Sequence, residues 1–238
     1  MHSPYGLDII EQCTDCQRRF DRFFCDLSPA TLDDLDRIKS TSTYPAGASL
    51  FVEEQVPRGV LIICSGRVRL TVCSPHGKIL VVGIAGPGEA LGLGAAVTDT
   101  PHDATAETLE PCQITFIKRT EFVRFLELHG DACLRVARHL SIDLHNAHER
   151  LRMLVLSRSA EEKLARLLLG WCENGSEGVE GVRLKVTMTH EQIAQLIDIS
   201  RETVTRLLSS LRARNIIRVQ GSTFVIIDRA SLARLADS

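Results

Sequence analysis

Cys13, Cys16 and Cys25 are the first residues of this chain whose type and spacing could do chemistry. A Cys-x2-Cys pair puts two thiolates within reach of one soft metal centre, and Cys25 can wrap around as a third ligand. A fourth sulfur would have to come from a distant part of the chain. Four thiolates suit zinc and suit an iron–sulfur cluster equally well. Thiol redox chemistry without any metal draws on the same residue type.

A second constellation lies between Thr189 and Arg206. Thr189 is a good helix N-cap, and Gln192 three residues on completes a capping box. Ile193, Ala194, Leu196 and Ile197 give the helix an apolar face, with Ala194 where a second helix must approach closely. Asp198 stands at the turn and tolerates a left-handed backbone better than most residues. Ile199 plugs the core and Ser200 caps the next helix, whose buried face is Val204, Leu207, Leu208 and Leu211. Arg201, Glu202, Thr205 and Arg206 fall at its exposed N-terminal end, the part of a helix-turn-helix that enters a major groove. Arginine reads guanine bidentately and glutamate accepts from the cytosine amino group. An ordinary helical hairpin would not need alanine, turn residue, core residue and basic residues in one register.

The composition sets the frame. With 238 residues, 44% of them hydrophobic, there is room for two modest domains with packed cores. The net charge of −2 argues against blanket adhesion to nucleic acid. Between Arg183 and Arg218, however, seven basic residues (Arg183, Lys185, Arg201, Arg206, Arg212, Arg214, Arg218) face three acids (Glu191, Asp198, Glu202), a local basic footprint. No apolar run approaches the ~18 residues of a membrane span, so no membrane partner is expected. Met1-His2-Ser3-Pro4 lacks a basic-then-apolar signal region, and a cytoplasmic protein is expected. Its eight cysteines should then be reduced thiols or metal ligands. No nucleophile–base pair or phosphate-binding loop is present, and an enzyme is not expected.

Four regions position these residues. Residues 1–27 hold the cysteine cluster. Residues 28–130 open with a short helix over Pro29–Lys39 and become glycine-rich and β-like, with apolar runs Val60–Ile63, Val68–Val72 and Ile79–Ile84 as in a sandwich or barrel. Residues 131–158 are helical, and Cys133, Ala137, Leu140, Leu144, Ala147, Leu151 and Leu154 recur with the alternating spacing of a coiled-coil seam. A long helix packed on its own domain explains that seam; the small Ala137 and Ala147 favour a partner helix and hence a homodimer. Residues 159–238 carry a helix over Ala160–Trp171, a glycine-rich break, the helix-turn-helix, strands at Ile216–Val219 and Thr223–Ile227 joined near Gly221, and a short terminal helix. Cys64, Cys73, Cys133 and Cys172 read as small buried apolar side chains.

The segments Thr187-Met188-Thr189, Ile193-Ala194 and Ser200-Arg201-Glu202-Thr203-Val204-Thr205-Arg206-Leu207-Leu208 resemble the winged helix of the CRP/FNR family of bacterial transcription regulators. The order of regions resembles that family along nearly the whole chain. The resemblance implies an α+β fold: an N-terminal β-roll of the cyclic-nucleotide-binding, jelly-roll type, a long dimerisation helix and a C-terminal winged helix-turn-helix. It implies a homodimer on an inverted repeat in double-stranded DNA, contacts with RNA polymerase, and Glu202 and Arg206 reading each half-site. Arg201 resembles the cyclic-AMP-receptor type, which leans the half-site toward TGTGA rather than TTGAT.

A cyclic nucleotide needs its phosphate neutralised, in this family by an arginine and a nearby glutamate beside a glycine-rich turn. Here that turn is Gly88-Glu89-Ala90-Leu91-Gly92-Leu93-Gly94, with Leu93 at the glutamate position and His102-Asp103-Ala104-Thr105 where the arginine would stand. Between Leu70 and Ile117 the sequence has no arginine, and Lys78 is its one cation. The surroundings of Cys112, from Ala106 to Phe116, resemble those of the fourth ligand in the oxygen-sensing FNR branch. That resemblance implies a [4Fe–4S] cluster on Cys13, Cys16, Cys25 and Cys112, with oxygen or nitric oxide as signal. The alternative within the fold is a regulator without a cluster, responding to a small organic effector or to thiol oxidation.

Overall fold

The computed structural model describes residues 5–16, 24–77, 79–157, 159–172, 175–178, 180–186 and 188–236. Lys78 and Thr187, both used in the sequence reading, lie outside the described residues, as does the side chain of Leu154. Two compact units are formed by residues 1–145 and 146–238.

In the first unit α1 (Pro29–Ile38) is followed by β1 (Lys39–Tyr44), β2 (Ser49–Phe51), β3 (Gly59–Ser65), β4 (Val68–Cys73), β5 (Ile79–Ala85) and β6 (Ala90–Leu91). Then come the short α2 (Leu93–Thr98), β7 (Thr105–Thr108), β8 (Cys112–Lys118), α3 (Arg119–Leu128) and α4 (Gly130–Leu156). The strands make two antiparallel four-stranded sheets, β1-β8-β3-β6 and β2-β7-β4-β5. Between them sit Phe51, Leu61, Ile63, Val68, Ala85, Leu91, Ala106, Cys112 and Ile114. The other face of the first sheet, carrying Val60, Ile62 and Ile117, packs against Leu32 and Leu35 of α1, Phe122 and Phe125 of α3, Ala132 and Val136 of α4, and Phe24. Alternate residues of one strand therefore feed two cores, as the two-residue period of a pleated strand dictates. This is the β-roll expected from the resemblance.

The start of α1 is chemically marked. Ser28 caps α1 by accepting from the Thr31 N–H at 3.2 Å, and proline takes the first helical position. His129 alone separates α3 from α4, whose first half is anchored by Ala132, Val136 and half-buried Leu140. Of the expected seam, Cys133, Ala137, Leu144, Ala147 and Leu151 are exposed, with Leu144 at 58% and Leu151 at 59%.

In the second unit α5 (Ala160–Cys172) precedes β9 (Ser176–Gly178), β10 (Gly181–Lys185), α6 (His190–Ile197), α7 (Arg201–Ala213), β11 (Ile217–Gln220), β12 (Thr223–Ile226) and α8 (Arg229–Ala236). The strands form one antiparallel sheet, β11-β12-β10-β9. The stretch read as a glycine-rich break is thus the β9–β10 hairpin, because Gly181 lies so close to Ile226 that only hydrogen fits there: a Cβ would meet the Ile226 carbonyl oxygen at 2.0 Å. One core joins Leu164, Leu168, Ile193, Ile197, Val204, Leu208, Leu211, Ile217, Phe224 and Leu232.

Candidate nucleic-acid interface and cysteine segment

The helix-turn-helix is built as its residues demand. The Thr189 hydroxyl accepts from the Gln192 backbone N–H at 3.1 Å, and Oε1 of the Gln192 side chain accepts from the Thr189 N–H at 2.8 Å. Asp198 ends α6 in the left-handed region at φ 52°, and the Ile199 N–H donates to Ala194. Ser200 caps α7 by accepting from the Thr203 N–H at 3.1 Å. Val204, Leu207, Leu208 and Leu211 are buried, which turns Arg201, Glu202, Thr205 and Arg206 outward together. Four groups at a helix N-terminus, two of them cationic, suit a phosphate-lined groove. The Thr205 hydroxyl is already engaged: it donates to the Arg201 carbonyl at 3.0 Å and lies 2.9 Å from Nδ1 of His190. His190 went unnoticed in the sequence, since it carries no motif and meets α7 only through the turn.

The described parts of the cysteine segment, residues 5–16 and 24–27, meet the outer side of the β1-β8-β3-β6 sheet and the helix α1 beside it. At one end the buried Gln113 amide both accepts from the Ile10 N–H at 2.9 Å and donates to the Ile10 carbonyl at 2.6 Å. Next, the Cys13 N–H donates to both carboxylate oxygens of Asp36 at 3.0 Å, and Lys39 Nζ donates to Cys13 Sγ at 3.2 Å while pairing with Asp36 at 2.5 Å. Burial pushes the Cys13 thiol up to about 12, against the lowering effect of Lys39. Burial also acts against the charges of Asp36 and Lys39, but their mutual contact and Cys13 prevail, so Asp36 falls below the usual carboxylate range and Lys39 rises. The Cys16 N–H donates to the Cys13 carbonyl at 3.3 Å, closing a turn. At the far end the Phe24 N–H donates to the Gly88 carbonyl at 3.3 Å, with Cys25 half-buried beside it.

The segment is then tied to α4. The Ser28 N–H and Thr31 hydroxyl donate to the Asp131 carboxylate at 3.1 and 2.9 Å, and Arg135 pairs with Asp26. Burial raises Asp131, but those hydrogen bonds outweigh it and hold the carboxyl below its ordinary value.

Cys112 does not share this surface. It is 0% exposed in the core between the two sheets, where its thiol lies 3.4 Å from the Arg67 carbonyl and 3.2 Å from that of Glu110. Burial raises its pKa first of all. Among the described residues no three or more His, Cys, Asp or Glu side chains come together in a way that could hold a metal. Cys13, Cys16 and Cys25 thus belong to one segment on one face, and the structure does not bring Cys112 to them. As folded here, that set of four does not fit one four-sulfur centre.

Of the four cysteines expected to be buried, one is. Cys172 is buried, whereas Cys73 at a strand end and Cys133 on the open seam are exposed, and Cys64 is half-buried on an irregularity of β3. At the glycine-rich turn, Leu93 is 3% exposed and packs inward with the α1–α3 core. His102 is buried and stacked on Phe51 with ring centroids 3.9 Å apart and an 11° tilt. Burial lowers its pKa against the raising effect of Asp103, so the imidazole is neutral near pH 7 and supplies no charge for a phosphate.

Comparison with known proteins gives the same architecture. A cyclic nucleotide-binding domain matches residues 41–129 and a Crp-like helix-turn-helix domain matches residues 162–235. The nitrogen fixation regulation protein FixK of Bradyrhizobium diazoefficiens is 26% identical, over 94% of this chain and 93% of that protein. A CRP-like cAMP-activated global transcriptional regulator of Mycobacterium tuberculosis is 27% identical, over 90% of this chain and 95% of that one. A CooA mutant from Carboxydothermus hydrogenoformans shares the fold with a TM-score of 0.75 at 20% identity, over 84% of this chain and 88% of that chain. No helix among the described residues is long and apolar enough to cross a membrane. With both domains in order and relatives matched along nearly their whole length, the chain is similar throughout to transcriptional regulators of the CRP/FNR type.

Proposed function

We propose that this regulator is of the FNR type: a cytoplasmic homodimer that binds an inverted repeat in double-stranded DNA, contacts RNA polymerase, and responds to oxygen or redox state through its N-terminal cysteines. The observation that carries this reading is the docking of the cysteine segment between the roll and the start of α4, through Ile10–Gln113, Cys13–Asp36 and Ser28–Asp131. Chemistry at these thiols changes how well the segment docks, and Asp131 and Arg135 pass that change to α4. The exposed seam of α4, with Leu144 and Leu151, is the surface a second copy covers. Two copies of α7 then present Arg201, Glu202 and Arg206 to successive major grooves. A coupling of a few kcal/mol between docking and dimerisation suffices to switch operator occupancy.

The proposed resident group is a [4Fe–4S] cluster, for which clustered thiolates are the usual donors. A cyclic nucleotide is disfavoured as effector because neutral His102 and buried Leu93 stand where its phosphate would need charge and polarity. Protein purified without oxygen should be brown, carry about four iron and four sulfide per chain, the composition of that cluster, and lose both colour and operator binding in air. Colourless anaerobic protein with stoichiometric zinc, or operator binding indifferent to air, would overturn this reading.

A further inference from the structure

We propose that His190 is a positioning residue for base recognition: it holds Thr205 so that the threonine shows its methyl group, not its hydroxyl, to the DNA and selects the 5-methyl group of a thymine. This rests on the reading above that α7 enters a major groove, and it assigns what one position of that helix selects.

A threonine facing a groove has two ways to read. Its hydroxyl can bond to several bases, whereas its methyl packs on thymine. The bonds of Thr205 separate the two. A hydroxyl has one proton and two lone pairs. In Thr205 that proton goes to the Arg201 carbonyl one turn back, 3.0 Å away. Nδ1 of His190 lies 2.9 Å from the same oxygen. With the hydroxyl proton already committed, Nδ1 carries the hydrogen of this second bond and Thr205 Oγ1 accepts it. Thr205 therefore has no proton left for a base acceptor, and two partners fix the direction of its oxygen.

A β-branched side chain has its second branch set once the first is held. Thr205 is exposed on α7 beside Arg201 and Glu202, its neighbours one helical turn away. With Oγ1 turned to Arg201 and His190, the branch left for the groove is the methyl.

His190 has no other task in the local structure. Thr189 and Gln192 already cap α6, and Ile193, Ala194, Leu196 and Ile197 form its buried face. His190 is the first residue of that helix, half-buried, and its ring bonds across fifteen positions to the middle of α7. The turn at Asp198 brings the two together, so the motif itself sets the distance.

The test starts from operators selected out of randomised duplexes by the full-length protein. Each thymine of a selected half-site is then replaced by deoxyuridine, which removes the methyl and keeps the pairing edge, and affinity is read by fluorescence anisotropy. In wild-type protein one thymine per half-site should show a loss of about fourfold, the worth of one buried methyl group at ~0.8 kcal/mol. Thr205→Ser should erase that loss, and Thr205→Val, which keeps the methyl, should retain it. His190→Ala should cut the loss to less than twofold. His190→Asn, whose amide nitrogen stands as far along the side chain as Nδ1, should restore it. A wild-type scan with no uracil-sensitive thymine, a loss that survives Thr205→Ser, or one that His190→Ala leaves unchanged overturns the assignment and leaves base reading by α7 standing. Wild-type protein that selects no sequence and binds all duplexes alike overturns both. The wild-type scan needs no substitution, so it settles the methyl reading even where a variant misfolds.

Discussion

Cys112 and Gln113 are neighbours in the chain, yet one is sealed in the core between two sheets and the other clasps Ile10 on the opposite face. That clasp is the most direct link between roll and cysteine segment. Replacing Gln113 by Leu removes two hydrogen bonds at about 0.5–1.5 kcal/mol each. Hydrogen exchange at residues 8–16 should speed up, while amides of β8 stay as protected as in the parent.

Arg206→Ala should weaken specific operator binding by about 1–3 kcal/mol and random DNA far less. Fluorescence anisotropy on both duplexes checks this, and equal losses would contradict base reading.

Leu144 is 58% exposed on the seam that the proposed dimer would cover. Leu144→Glu places one charge per chain on that seam and should shift the protein toward monomer in analytical ultracentrifugation, with unchanged helicity.

Gly66 has φ +85° and its missing Cβ would strike Cys112 Sγ at 2.4 Å. Gly66→Ala should cost about 3 kcal/mol or more, from backbone strain and overpacking together. Gly77→Ala shares the positive φ but meets nothing within 4 Å, and should cost about 1 kcal/mol. Urea midpoints compare the two.

His102 gives the roll a pH dependence of definite sign. Its folded pKa lies below the ordinary 6.5 because burial penalises the charged ring, so the unfolded chain binds more protons. Stability from this source is complete above about pH 6.5 and declines as pH falls through the window beneath it. His102→Phe, which keeps the stack on Phe51, should flatten the thermal stability profile in that window.

The DNA-reading half was legible because its logic is local. Thr189 and Gln192, Asp198, Ser200 and the Val204–Leu211 face each act within a few residues, and each took its expected place. The long helix was legible for the same reason. The sulfur geometry was not. Alternation says that Cys112 and Gln113 oppose each other but not which one faces the core. The Gln113–Ile10 clasp spans 103 positions and leaves no pattern at either end.

The clasp grips peptide atoms only. Every residue except proline offers the same N–H and carbonyl, so position 10 is free to drift in side chain without loosening the attachment. By the same token it cannot tell one peptide from the next, and inserting or deleting an amino acid upstream of Cys13 would leave it filled. The job of setting which thiol stands where falls to Asp36 and Lys39, which address Cys13 by its sulfur as well as its amide.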